Sequence, residues 1–357
     1  MRGQRIAYFA DASNIHTRRW VSHFARQGYE AHVFSFRPGE IPGATVHFID
    51  AGPVQAEGGN WHYLLHLPTL RRELRCLQPV LLHAHYLTSY GLLGALSGYR
   101  PLFLTAWGSD VLVAPRRSLA YRILLHFTLA RADLVTSDAE VMSREIMHYG
   151  LPADRLLTVP LGVDRRLFHI EGRDWPACGR QLISTRYLVP NTNLGTVLAA
   201  LGQARHRVTD LRLDVVGDGP EWPHLEAMAR HLEVDGIVRW RGEIEHDHLP
   251  ALLREADLYV ALTLSDSTSV SLLEAMACGV FPIVSDLPAN REWIEPGVNG
   301  LLVPSHDKQI LADAIYHIAY DPTLRRRAAL HNLELIAERG DWEKSMNQVE
   351  AFYRSCC

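Results

Sequence analysis

Lysine is almost missing from this chain. Of its 36 basic residues only Lys308 and Lys344 are lysines, so an anion that needs a side-chain cation must mostly be met by arginine, whose planar fork matches phosphate geometry. No Asp-x-Asp pair occurs, which leaves no acidic couple of the kind that clamps a divalent ion, and no metal is expected. His83 and His85 in "HAH", and His246 and His248 in "HDH", have a spacing that could suit a metal. Alternation on a strand or simple surface placement accounts for them more economically. The five cysteines are odd in number and lack paired spacing, which excludes a disulfide framework. Cys76, Cys178 and Cys278 therefore read as ordinary small buried residues, and Cys356 and Cys357 lack a lipidation motif. No apolar run approaches membrane-spanning length, and the stretch before Asp11 is too short for a secretory leader. A cytoplasmic protein is the expectation.

What is present is a globular composition, 47% hydrophobic and 21% charged over 357 residues, a length that suits two domains rather than one core. Charge is uneven. Residues 1–170 carry a net of +5 and the remainder a net of −9. A basic first half points to an anionic partner, which allows peripheral contact with the inner face of a membrane; no nucleic-acid motif accompanies it.

Short runs rich in Val, Ile and Phe alternate with helical patterns. "RIAYFA" precedes an amphipathic helix from His16 to Gln27, for which Asn14 is a candidate cap, and "EAHVFSF", "VLLHAHY", "PLFLTAW" and "DLVTS" follow. The rhythm restarts with "QLISTR", a helix near Thr196–Gln203, "LRLDVVGDG", a helix over Glu221–His231, "IVRWRG", a helix over Leu249–Glu255, "DLYVALT" and "FPIVSD". This predicts an α/β protein of two Rossmann-like, doubly wound domains, with a ligand cleft between the carboxyl ends of their sheets. The boundary is placed at 165/166, giving domains 1–165 and 166–341, with the amphipathic segment 342–357 packing back on the first.

One stretch stands out. "SDSTSVSLLEAMACG", residues 265–279, sets small hydroxyl residues before a helix that opens at Ser271 and carries Glu274 one turn in. The exposed N–H groups and positive dipole end of a helix start form a ready anion seat. Ser and Thr also cap helices for local reasons alone. Gly217, Asp218 and Gly219 form a second small-residue turn, whose glycines would let a nucleotide approach closely.

"VPLGVDRRLF", "LDVVGDGPEWPHLEAMA", "VRWRGEI", "LPALLREADLYVALT", "SLLEAMACG" and "NGLLVP" stand in the order and spacing of the retaining glycosyltransferases of family 4, which the chain resembles over residues 159–304. The likeness in the first half is weaker and rests on "HTRRWVSHFARQGYEAHVFS", "LLHAHY" and "TAWGSD". The resemblance implies the GT-B fold and transfer of a sugar from a nucleotide-sugar, UDP-linked above others, to a glycan, lipid-linked or small-molecule acceptor, without cofactor or metal. It implies that Asp266 meets the donor sugar, and that Glu274 grips the ribose diol through hydrogen bonds worth roughly 1.5–3 kcal/mol each. Thr268, Ser269 and Val270 would receive the distal phosphate, and Gly242 and Arg241 would lie near the base. Family members usually have Glu where Asp266 stands. They usually pair Arg186 with a Lys, where this chain has Thr192 or Asn193. More of the leaving-group charge then falls on Arg186.

On the acceptor side the resemblance expects a histidine where Trp107 stands, so Asp110 or His85 is expected to take over polar contacts. Asp11 and His16 would face the same space. Two alternatives remain open at this point: a sugar-nucleotide 2-epimerase on the same fold, and a nucleotide-sugar-binding subunit with weakened catalysis.

Overall fold

The computed structural model describes residues 3–52 and 60–355; Cys356 and Cys357 lie outside them. The chain divides into two compact units, one formed by Met1–Val159 with Lys344–Cys357 and the other by Pro160–Glu343. The division falls before residue 165 because the intervening segment is tied to the end of the second unit. Val163 N donates to Gly340 O at 2.8 Å and Trp342 N donates to Val163 O at 3.1 Å.

The first unit is built on seven parallel strands, β1 (Arg5–Phe9), β2 (Glu30–Ser35), β3 (Ala44–Phe48), β4 (Leu81–His85), β5 (Leu102–Thr105), β6 (Leu134–Ser137) and β7 (Leu156–Thr158), in the order β3-β2-β1-β4-β5-β6-β7. The order reverses between β1 and β4, so the carboxyl ends of these two strands mark the place where ligands of open α/β sheets bind. β4, "LLHAH", is buried at every residue. The helix Ile15–Arg26 follows β1. Asn14 Oδ1 accepts from His16 N at 2.8 Å and Thr17 N at 3.3 Å, satisfying two of the amides that a helix start leaves open. Asn14→Ala is expected to cost about 1 kcal/mol of stability, measurable as a lowered denaturant midpoint with an unchanged slope. The terminal helix Trp342–Arg354 buries Met346, Val349 and Tyr353, and Tyr353 OH accepts from Trp20 Nε1 of the first helix at 3.1 Å.

The second unit has six parallel strands, β8 (Gln181–Ser184), β9 (Arg212–Val216), β10 (Val238–Gly242), β11 (Leu258–Ala261), β12 (Phe281–Ser285) and β13 (Leu301–Val303), ordered β10-β9-β8-β11-β12-β13. Its reversal lies between β8 and β11. Leu, Val and Ala cover both faces, because parallel sheets sandwiched by helices are apolar on each side. Among the charges it buries is an ion pair. Arg325 Nη1 meets Asp257 Oδ1 at 3.0 Å, and Asp257 also accepts from the amides of Arg180 and Gln181, so the carboxylate is fully engaged, while Arg325 Nε has no hydrogen-bond partner among the described residues.

Cysteine placement departs from expectation. Cys278 is buried, but Cys178 is only partly so and Cys76 is exposed. Cys76 lies near the end of the helix Leu67–Leu77, on its solvent side.

Candidate functional site

The strand-to-helix stretch at 265–279 stands at the reversal of the second sheet. The helix runs Val270–Ala277, capped by Ser269, whose side chain accepts from Leu272 N. Arg186, just past the end of β8, reaches across to it. Its Nη2 donates to Asp266 Oδ2 at 2.8 Å, and its Nη1 to Ser269 Oγ at 2.7 Å and Ser271 Oγ at 3.3 Å. Tyr259 OH lies 2.9 Å from Ser271 Oγ. Burial alone would lower the guanidinium pKa, but the Asp266 carboxylate and Tyr259 more than reverse this, so Arg186 is held firmly cationic. A fixed guanidinium and a positive helix end thus share one small space, and Asp266 is the anion bonded to the guanidinium there. Thr268 Oγ1 accepts from Trp293 Nε1 at 3.3 Å, which fixes the loop ahead of the cap.

Glu274 is buried one turn inside the helix. The sequence gives it an open carboxylate, whereas His246 Nε2 lies 2.7 Å from its Oε1, with the imidazole resting against Phe168 at 5.0 Å. The sequence reading gave His246 a surface placement and missed its contact with Glu274, because "HDH" carries no mark of a partner 28 positions away.

Three further expectations change. The Gly217 and Gly219 turn approaches the chain itself. A Cβ on Gly217 would stand 2.4 Å from Arg186 O, and one on Gly219 would stand 2.3 Å from Leu188 O. Both glycines have positive φ. They are needed to pack this turn against the Arg186–Leu188 segment, which positions Arg186. Arg241 is engaged with Asp214 at 3.2 Å, while Gly242 O accepts from Gly217 N at 2.8 Å. Where a lysine was sought, Asn193 adopts a left-handed conformation and its Nδ2 donates to Leu262 O and Ser305 O; Thr192 Oγ1 donates to Val189 O. Both act as loop ties.

In the first unit, the candidates gather beyond β1, β4 and β5. The rings of His16 and Trp107 stack with centroids 5.4 Å apart, and Trp107 lies edge-on to His85. His85 is buried, its Nδ1 is 3.2 Å from Thr17 Oγ1, and burial pushes its pKa down to about 3. The expectation that Asp110 meets a ligand is not what its contacts suggest. It is fully buried, its Oδ2 accepts from Leu87 N at 2.7 Å and its Oδ1 from Trp107 N at 3.0 Å. It ties the loop after β4 to the loop after β5. Burial raises its pKa to about 6 against the pull of those amides. Asp11 accepts from Ser13 N and Ser13 Oγ and faces Arg37 at 3.5 Å. Among the described residues, no group of three His, Cys, Asp or Glu is placed to hold a metal.

Two parallel open sheets, each reversing at its centre, define an α/β protein of the doubly wound class, with a helix start and Arg186 at one reversal. Comparison with known proteins sharpens this. The family model "Glycosyl transferases group 1" matches residues 180–321, and "Glycosyl transferase 4-like" matches residues 5–139. The phosphatidyl-myo-inositol mannosyltransferase of Mycobacterium leprae is 31% identical over 183 residues, 51% of this chain and 48% of that protein. Sucrose-phosphate synthase of Thermosynechococcus elongatus superposes with a TM-score of 0.84 at 20% identity, over 99% of this chain and 98% of that one. Anabaena Alr3699/HepE in complex with UDP-glucose does so at 0.81 and 17% identity, over 99% and 100%. The matches span about half the length of several curated relatives. The chain belongs to the GT-B glycosyltransferases of the family-4 type.

Proposed function

We propose that the protein transfers a sugar from a nucleotide-sugar donor to a hydroxyl acceptor with retention of anomeric configuration and without a metal. The observation that carries this is the arrangement at the helix Val270–Ala277, where Arg186, Ser269 and the helix start converge. Departure of a nucleoside diphosphate develops negative charge, and fixed cations and helix dipoles stabilise it most where they are already in place. In this reading the Arg186 fork turns from Asp266 and Ser269 toward the diphosphate, and Asp266, so released, meets sugar hydroxyls. Glu274, oriented by His246, accepts from the ribose diol, and the base lies near Gly242.

The sequence offers no well-placed nucleophile for the far side of the sugar, and family membership favours attack from the front face. The acceptor oxygen bonds to the anomeric carbon as the carbon–phosphate-oxygen bond breaks, and the acceptor proton passes to the departing phosphate. Support for the donor class comes from family membership and from the UDP-glucose bound by HepE. The acceptor is a glycan, a lipid-linked saccharide or a small molecule.

The test is a panel of UDP-, GDP- and dTDP-sugars with a broad acceptor set, followed as release of free nucleoside diphosphate. Turnover of one donor with an acceptor is the expected result. Acceptor-independent inversion at the sugar's second carbon would point to the epimerase. A second reading has one observation in its favour: Arg186 and Asp266 already satisfy each other at 2.8 Å. Tight donor binding by calorimetry without any turnover would favour a binding subunit.

A further inference from the structure

We infer that the exposed face of the helix Leu119–Arg131, with the short Ala114–Arg117 turn before it, is a docking surface for an anionic lipid bilayer. The inference is independent of the transferase reading. Between Asp110 and Asp133 the sequence holds no acidic residue, and it holds Arg116, Arg117, Arg122 and Arg131 together with His126. This basic block belongs to a molecule whose net charge is −4, so the chain as a whole is not drawn to an anionic surface and any such attraction is local to the patch.

The helix is anchored on one side only. Leu125, Thr128 and Leu129 are buried, while Leu119 and Ile123, one turn apart, are 68% and 61% exposed. Arg122 and His126 are exposed on the same side. Leu119, Arg122, Ile123 and His126 recur at three- and four-residue intervals, which places them along one stripe. Apolar side chains flanked by arginines, without acids between them, suit the boundary where acyl chains meet charged headgroups. The apolar pair has no counterpart on a nucleic-acid backbone, which argues against that partner.

A hollow of about 420 Å³ opens beside the stripe, lined by Pro115, Arg116, Ser118, Leu119, Arg122 and Tyr149. Two arginines and two hydroxyl-bearing residues, Ser118 and Tyr149, border it, a donor set that suits a headgroup phosphate. The nearest acid, Glu145, stands 3.9 Å from Arg116, and the arginine side chain is 73% exposed, so this pair holds it only weakly.

The experiment is co-sedimentation of the full chain with vesicles of phosphatidylcholine alone and of phosphatidylcholine with about one-third phosphatidylglycerol. Binding to the second and not the first, weakened by high salt, is expected. Arg116→Glu with Arg122→Glu lowers the partition constant at least about tenfold, and Leu119→Ser with Ile123→Ser lowers it by a similar factor. These side chains face solvent, and unchanged circular dichroism and thermal midpoint will exclude misfolding as the cause. Equal binding to neutral vesicles, no binding to anionic ones, or full binding by both double variants would overturn the inference. So would salt-sensitive binding to duplex DNA in the absence of vesicle binding.

Discussion

Arg186→Ala lowers kcat/KM for the nucleotide-sugar by two to three orders of magnitude, the loss expected when one preorganised stabiliser of developing negative charge is removed (about 10²–10³). The side chain is three things at once: a fixed cation, a donor to Ser269 beside the helix start, and the partner of Asp266. Removing it leaves Asp266 facing the phosphate seat without its cation, so charge repulsion adds to the lost attraction. The affinity for free nucleoside diphosphate falls in the same variant, because the diphosphate is the group being received.

Arg186→Lys separates charge from geometry. It restores the cation but not the fork that reaches Asp266 and Ser269 together, and it recovers part of the activity. Calorimetry with the nucleoside diphosphate and steady-state rates on all three proteins measure this. A thermal midpoint must accompany them, since loss of the partly buried pair also destabilises the second unit. Unchanged diphosphate affinity in Arg186→Ala, in a protein that remains folded, removes the anion seat from this helix.

The helix start is legible in the sequence itself, Arg186 and Asp266 only through the resemblance, and their pairing not at all; the reason is the range of the forces involved. Helix starts are local. Ser269 and Asn14 announce caps through residue type and the apolar pattern that follows. The helix Leu249–Glu255 could be bounded in the same way, because its apolar spacing lies within one short window. Central strands are equally plain, since burial on both faces makes them continuous apolar runs.

The strands that escaped notice are β3, β7 and β13, all at sheet edges. β3 and β7 have no fully buried residue and β13 has one, so no hydrophobic run marks them. β10 is also an edge strand, but its "VRW" alternation exposes every second side chain and gives it away. Pairings across the fold leave still less trace. Arg186 with Asp266 spans 80 positions, and only the positions of β8 and β11 in the sheet bring them together. The same holds for the glycines at 217 and 219. Their residue type signals a close approach, but not that the approaching group is the chain's own backbone.

Acidification destabilises the first unit, and two buried histidines set the slope. The tautomer of His83 is fixed by its surroundings. Trp20 Nε1 can only donate, so Tyr353 OH accepts from it and donates to His83 Nδ1 at 2.5 Å. His83 Nε2–H then donates to Thr105 Oγ1 at 2.7 Å, and that hydroxyl donates to Thr136 Oγ1 at 2.7 Å. A proton on Nδ1 would reverse this chain at its start. Burial holds the pKa of His83 well below 6.5, with His85 as the nearby charge, and brings that of His85 to about 3.

The sign follows from proton binding in the two states. Below 6.5 the unfolded chain takes up protons at both histidines while the folded unit does not, so the stability present above 6.5 is lost as pH falls, by about 1.4 kcal/mol per pH unit for each. Asp110 opposes this. Its folded pKa of about 6 lies above its ordinary 3.8, so between those values the folded state binds the extra proton and gains about 1.4 kcal/mol per unit on acidification. Tyr8 is pushed upward and takes no part in this window.

His47 is lowered as well, by burial first and then by the His32 charge, so the losses outweigh the one gain and stability falls on acidification between pH 6 and 3.8. Because Tyr353 lies in the chain that His83 anchors, weakened protection of the Trp342–Arg354 helix in hydrogen exchange accompanies the loss. Denaturant unfolding across this pH range measures the slope. His85→Gln, which cannot take up a proton in either state, makes the slope shallower, since one of the opposing losses is then removed. A slope unchanged by that substitution would show that the acid sensitivity resides elsewhere.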